Sequence, residues 1–102
     1  MDNTINLLAL GLRATNMRET ALAYQIANVN LNPKTHLEVN FETQLQAGTE
    51  TAKPFYENKP DALSLDELML ASLTNASHTQ ILLKGLNQKL AQLTLAIEGD
   101  KA

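Results

Sequence analysis

Few side chains in this 102-residue chain could carry out chemistry. The two histidines, His36 and His78, are far apart, and neither has a second histidine or a carboxylate at metal-ligand spacing on its own helix face. Cysteine is absent, which excludes disulfide bonds, thiolate catalysis and cysteine-based metal sites. We therefore expect both histidines to be solvent-exposed or structural, and we expect no metal and no cofactor.

The adjacent carboxylates Asp66 and Glu67 could be mistaken for a catalytic pair. Neighbouring side chains on a helix diverge by about 100°, and Ser64 followed three residues later by Glu67 is the pattern of a capping box. Ser72 and Ser77 have no nearby histidine–aspartate arrangement, and the four glycines are isolated, so no phosphate-binding loop is predicted. These patterns predict a protein that is not an enzyme and has no catalytic residues.

Charge and hydropathy exclude further classes. The formal net charge is −3, and lysine and arginine are scattered singly, so no basic surface for nucleic acid is predicted. No apolar run approaches the ~20 residues needed to cross a bilayer, and the first residues lack the pattern of a signal peptide. We expect a single domain with no nucleic-acid partner, no small-molecule substrate and no transmembrane segment. Its packing would be aliphatic, because only 4% of its residues are aromatic.

A long helix is predicted near the N-terminus, over residues 4–29. At about 100° per residue its apolar side chains fall on two opposite faces. One face holds Leu10, Ala14, Met17, Ala21 and Tyr24, and the other holds Leu8, Leu12, Leu22, Ile26 and Val29. Such a helix is either buried in a small core or shared between neighbouring molecules. Because few other elements could bury it, we favour the second interpretation.

Residues 30–62 are predicted to form an irregular, partly extended connection. Alternating polar and apolar residues from His36 to Phe41 favour a short extended piece, while the stretch from Phe41 to Gln46 fits either a helical turn or a strand. Residues 47–61 are predicted to be a mobile loop. An irregular segment of this length is unusual in a compact domain, so we expect it to order on a partner or to stay flexible.

A second long helix is predicted over residues 64–98, with Gly99 as its C-terminal cap. At about 1.5 Å per residue it would span roughly 50 Å, which is typical of a coiled coil. Its main apolar line advances by three or four residues, with one slip between Leu83 and Leu86 and a polar gap at Thr79 and Gln80. That line contains Met69, Leu73, Ala76, Gln80, Leu83, Leu86, Leu90, Leu93 and Ile97.

Together these patterns predict an all-α fold, in which the two terminal helices form an antiparallel, coiled-coil-like pair. The intramolecular seam between them, called the predicted seam below, contains Leu10, Met17, Ala21, Tyr24, Met69, Leu73, Leu83, Leu86, Leu90 and Leu93. The predicted subunit interface, which would contact neighbouring molecules, contains Leu8, Leu12, Leu22, Ile26, Val29, Leu70, Ile81 and Leu95. Because a two-helix hairpin buries little apolar surface, we expect association to complete its core.

Both ends of the chain carry motifs of one known family. The first helix contains Leu12-Arg13, Arg18 and the run Leu22-Ala23-Tyr24-Gln25-Ile26-Ala27-Asn28, and Asn40-Phe41 follows. The second helix begins with Leu63-Ser64-Leu65-Asp66-Glu67-Leu68-Met69, contains Asn75 and closes with Leu93-Thr94-Leu95-Ala96-Ile97-Glu98-Gly99. In this order the motifs resemble those of bacterial flagellar basal-body rod proteins, most closely the FlgB members. The chain departs from them at Gln25, at Thr79 and in the turn from Leu31 to Thr35.

The resemblance implies a structural subunit of the flagellar rod that contributes to motility. Such subunits are exported through the flagellar type III apparatus without a cleaved signal. They then assemble in the periplasmic part of the basal body with other copies of themselves and with other rod proteins. The residues alone also allow a second function, a small cytoplasmic helical adaptor or chaperone that binds an amphipathic partner helix.

Overall fold

The computed structural model describes residues 4–48 and 51–101 as one elongated unit. Its elements are α1 (Thr4–Ala27), a 3₁₀ turn (Val29–Leu31), β1 (Thr35–Asn40), α2 (Glu42–Ala47), β2 (Phe55–Pro60) and α3 (Leu65–Lys101). The molecule extends over 63 × 26 × 14 Å with a radius of gyration of 17.2 Å, compared with about 13 Å for a compact domain of this length. The two long helices therefore determine its shape.

The end of α1 follows from local side-chain chemistry. The Asn28 side-chain amide donates to the Tyr24 carbonyl over 2.7 Å, which satisfies one of the carbonyls left free at a helix C-terminus. After the 3₁₀ turn, Asn32 adopts the left-handed conformation with a φ of 53°. Asparagine tolerates that conformation better than most residues, and Pro33 after it disfavours further helix.

Helix α3 begins at the expected capping box. The Ser64 hydroxyl accepts a hydrogen bond from the Glu67 backbone N–H over 3.1 Å and donates to the Glu67 carboxylate over 3.2 Å. The helix contains 37 residues, which corresponds to about 55 Å at 1.5 Å per residue. It continues through Gly99 to Lys101, so Gly99 is not the C-terminal cap that the sequence predicted.

The prediction of an all-α fold was wrong, because the middle of the chain contains a two-stranded antiparallel sheet. β1 pairs with β2 in a register that places Thr35 opposite Pro60 and Asn40 opposite Phe55. The second strand lies in the stretch predicted to be a mobile loop. The sequence did not predict this strand because it contains a proline and a polar run, Tyr56 to Lys59. Pro60 is tolerated because it occupies the last position of the strand, where no ladder hydrogen bond from its nitrogen is needed.

Two side chains of α1 bind the edge of β1 that faces away from β2. The Gln25 amide accepts from the Leu37 N–H over 2.9 Å and donates to the Leu37 carbonyl over 3.0 Å. One strand period further on, the Arg18 guanidinium donates to the Val39 carbonyl over 3.2 Å. Backbone groups that β2 does not pair are thus satisfied by the helix, which holds the hairpin against α1.

The core lies between α1, the hairpin and α2. Ala14, Val39, Phe41 and Ala52 form its buried centre, and Leu10, Met17 and Leu45 pack against it. One apolar face of α1 is therefore covered by the middle segment of the same chain. The small Ala14 side chain, which is fully buried, lets the strand and the loop approach the helix closely.

Candidate assembly surface

The contacts between α1 and α3 show which side of each helix is buried against the other. Near the middle, the buried Asn75 side-chain amide donates to the Thr15 carbonyl over 2.8 Å. Further along, a Cβ built at Gly11 would lie 3.2 Å from the Leu82 side chain, and one built at Gly85 would lie 3.4 Å from the Leu8 side chain. As numbers rise along one helix, they fall along the other, so the two helices are antiparallel.

The side of α3 that faces α1 repeats in steps of four and three residues without a slip. This buried stripe contains Leu68, Ser72, Asn75, Thr79, Leu82 and Leu86, all buried or half-buried. It is one residue out of phase with the predicted seam over most of its length. The predicted seam was chosen from the largest aliphatic side chains of α3. The regular heptad spacing of small and polar residues was the signal that could have identified the buried side.

The residues of the predicted seam lie in several different environments. Leu10 and Met17 pack on the hairpin core, and Leu86 is half-buried on the buried stripe. Ala21 is buried, whereas Tyr24 is exposed. On α3, Met69, Leu73, Leu83, Leu90 and Leu93 are exposed. The pairing of the two helices thus depends mainly on residues outside the predicted seam.

The predicted subunit interface divides in a similar way. Leu22 is buried within its own chain, and Leu8 lies over Gly85. Leu12, Ile26 and Val29 are half-buried. The three members on α3, in contrast, are exposed: Leu70, Ile81 and Leu95.

Four large aliphatic side chains form a line along the outer side of α3, called the outer stripe below. Leu70, Leu73, Ile81 and Leu95 are 66%, 69%, 67% and 68% exposed, respectively. At 100° per residue they fall within about 80° of arc, centred about 180° from the buried stripe. The outer stripe therefore faces directly away from α1, and no described residue covers it.

A charged pair lies beside the N-terminal end of the outer stripe. The Arg18 guanidinium donates to the Glu42 carboxylate over 2.6 Å, which links α1 to α2. Partial burial acts to raise the pKa of Glu42, but a backbone hydrogen bond, Arg18 and the nearby His78 together lower it. A shallow cavity of about 490 Å³ continues from this pair to Leu70. The apolar line thus ends beside a polar, charged depression.

One polar atom in this region lacks a partner. The Oδ1 atom of Asn75 is buried and accepts no hydrogen bond, although its amide nitrogen is bound to the Thr15 carbonyl. Asn75 lines the depression beside Arg18 and Glu42. An unsatisfied buried acceptor is costly, so a donor from a neighbouring molecule or a water would be favoured there.

The His36 ring is held between two acceptors at the open end of the hairpin. Its Nδ1 lies 2.6 Å from the Asp61 carbonyl, and its Nε2 lies 2.5 Å from the Glu38 carboxylate. The Asp61 carbonyl, and then Glu38, raise the pKa of His36 above its ordinary value. One partner, Glu38, belongs to β1, and the other, Asp61, directly follows β2. The side chain of His36 therefore connects the two strands at this end of the hairpin.

Across residues 4–48 and 51–101, no three histidine, aspartate or glutamate side chains come together to hold a metal ion. In the same part of the chain, no helix is both long and apolar enough to pass through a bilayer. The described surface does carry a line of exposed aliphatic side chains along one long helix, with exposed polar residues such as Ser77, Lys84 and Gln88 between them. No family model, curated protein or solved structure matches the chain.

Proposed function

We propose that this chain is a structural subunit that assembles with copies of itself through the outer stripe of α3. The observation that carries this proposal is the exposure of four large aliphatic side chains in one line opposite the α1 contact. Single exposed leucines are ordinary on protein surfaces. A line of them along one rigid helix is typical of an interaction surface.

Burial of the outer stripe would supply part of the free energy of association. Full burial of a leucine or isoleucine contributes roughly 1.5–3 kcal/mol, so covering the two-thirds of each side chain that is now exposed gives about 1–2 kcal/mol. Four residues then contribute roughly 4–8 kcal/mol, and a micromolar complex requires about 8 kcal/mol. The stripe alone would support weak, concentration-dependent assembly, to which further contacts would add.

We further propose that the assembly is a bacterial flagellar basal-body rod or a rod-like structure. This part rests on the resemblance of the terminal helices to rod proteins. It is supported by the antiparallel pairing of two long helices in an elongated unit. The proposed location, the periplasmic rod reached by type III export, belongs to the same inference.

The outer stripe can be tested with Leu73→Asp/Ile81→Asp, which places two charges on it. We expect the wild-type protein to form large oligomers that grow with concentration, and the variant to remain monomeric, because charged groups resist burial at an apolar contact. Sedimentation velocity and electron microscopy measure the assembly, and circular dichroism verifies the helix content. The matched control, Ala9→Asp/Asn16→Asp, places two charges on exposed positions of α1 and should assemble normally.

Several outcomes would count against the proposal. A wild-type chain that stays monomeric at high concentration would contradict self-assembly, and normal assembly of the double variant would exclude the outer stripe. A small closed dimer would favour the helical adaptor. In a motile host that carries the gene, deletion should abolish motility and the wild-type gene should restore it. Unchanged motility after deletion would contradict the flagellar role.

A further inference from the structure

The C-terminal part of α3 extends beyond the described part of α1, its intramolecular partner. Because Leu8 faces Gly85 and Gly11 faces Leu82, the first described residue of α1, Thr4, comes level with about residue 89. Residues 90–101, called the overhang below, continue as helix for about 18 Å at 1.5 Å per residue. All residues of the overhang whose side chains are described are exposed.

The overhang continues the face of α3 that contacts α1. At 100° per residue, Leu93 and Ile97 lie within about 20° of Leu86, the last leucine of the buried stripe. They are 49% and 50% exposed, because no described part of α1 reaches them. The helix thus presents a surface suited to apolar packing, with no partner among the described residues.

A groove suited to apolar side chains lies at the opposite end of the molecule, where α1 ends and α3 begins. This end groove has a volume of about 470 Å³, and its lining includes Tyr24, Leu31, His36, Leu37 and Leu63. Tyr24 and Leu31 are 66% and 74% exposed. No other large apolar side chain of α1 or of the turn after it is exposed to this degree.

We propose that the overhang of one copy of this chain binds in the end groove of the next copy. The inference rests on the proposed function, because it names the second contact that self-assembly would use. Leu93 and Ile97 would enter the groove against Tyr24 and Leu31. Lys34, which is exposed next to the groove residues Pro33 and Thr35, would supply a cation for Glu98 of the incoming helix.

Geometry favours a chain of copies over a closed pair. The two surfaces differ from one another and lie at opposite ends, so each contact between them that is not reciprocated leaves a free overhang and a free groove. A pair joined overhang to overhang would leave the end groove uncovered. The head-to-tail arrangement covers both exposed apolar surfaces.

The size of the contact explains why the outer stripe is also needed. A helix about 18 Å long and about 10 Å wide has a lateral surface of roughly 570 Å². Burial of half of it, with an equal area on the groove, removes roughly 600 Å² in total, below the ~1,200 Å² of a stable interface. Head-to-tail contacts would therefore persist only in assemblies that the outer stripe also stabilises. With an overlap of about 18 Å on a length of 63 Å, the axial repeat would be about 45 Å.

The absence of native cysteine permits a direct test by cross-linking. Ile97→Cys and Leu31→Cys are prepared separately, mixed in equal amounts, assembled and treated with a short bis-maleimide. We expect cross-linked dimers that contain one chain of each variant, and we expect neither variant alone to cross-link efficiently. Thr43→Cys, on the exposed side of α2, replaces Leu31→Cys in the matched control and should give several-fold less product.

The outcomes separate this inference from the proposed function. Efficient cross-linking of Ile97→Cys with itself would indicate overhang-to-overhang contact and overturn the head-to-tail model. Equal yields with Leu31→Cys and Thr43→Cys in normally assembled material would also overturn it, while self-assembly would stand. If the wild-type protein does not assemble at all, both proposals fail. Electron microscopy verifies that each cysteine variant still assembles before the reagent is added.

Discussion

At the level of single residues, polar side chains rather than large apolar ones determine how the elements fit together. Gln25 and Arg18 hold the outer edge of β1, and Asn75 bonds the backbone of α1 at Thr15. Gln25 and Arg18 satisfy backbone groups of β1 that β2 does not pair, and Asn75 adds a second hydrogen bond to a carbonyl inside α1. Because such contacts require defined geometry, they orient the hairpin and α3 relative to α1.

Replacement of Gln25 should therefore weaken the attachment of the hairpin. In Gln25→Ala, the Leu37 N–H and carbonyl lose their partner, and we expect the free energy of unfolding to fall by about 1–3 kcal/mol. Urea denaturation followed by circular dichroism measures the loss. Gln88→Ala, on the exposed side of α3, is the control and should have little effect; an equal loss in both variants would contradict the role of Gln25.

His36 should make stability depend on pH. Because the Asp61 carbonyl and Glu38 raise its pKa in the folded state, the protonated ring stabilises the fold. This contribution is complete below the unfolded pKa of about 6.5 and is lost as pH rises through the higher folded value. We expect the free energy of unfolding to decline as pH rises above about 6.5 and through the raised folded pKa of His36, and His36→Gln to lose this decline. His78→Gln should retain it, and retention in His36→Gln would refute the assignment.

At the level of elements, close contact between α1 and α3 depends on two glycines. Leu82 lies over Gly11 and Leu8 lies over Gly85, so each helix receives a leucine from the other at a position without a side chain. On the N-terminal side of these contacts, the buried stripe is small or polar at Ser72, Asn75 and Thr79. Larger residues there would hold the helices apart, which is why the bulky side chains of α3 point outward.

The two glycines should respond differently to substitution. A Cβ at Gly85 would meet the Leu8 side chain at 3.4 Å, close to an ordinary contact, and alanine is favoured over glycine inside a helix by about 1 kcal/mol. We expect Gly85→Ala to raise the free energy of unfolding by roughly 0.5–1 kcal/mol, measured by urea denaturation. Gly11→Val should lower it, because even a Cβ there lies 3.2 Å from Leu82. Destabilisation by Gly85→Ala would contradict this packing argument.

At the level of the whole molecule, the shape is that of a short rod with unlike ends. One end carries the overhang of α3, and the other carries the hairpin and the end groove. The outer stripe runs along the side between them. In the proposed assembly the stripe supplies lateral contacts and the two ends supply axial contacts, which is the combination that an extended polymer requires.

Local sequence was sufficient to predict the two long helices, the capping box at Ser64 and the extended stretch after His36, because caps, prolines and alternation act within a few residues. It was not sufficient for β2, since a polar strand with proline at its end has no strong local pattern. It also missed the side of α3 that is buried. Both stripes of α3 have nearly helical spacing, and which of them α1 covers depends on how closely the backbones approach at Gly11 and Gly85. That approach is a property of two packed helices. The sequence already assigned Leu70, Ile81 and Leu95 to the predicted subunit interface, but only the packed helices show that Leu73 is exposed beside them and does not lie in the seam.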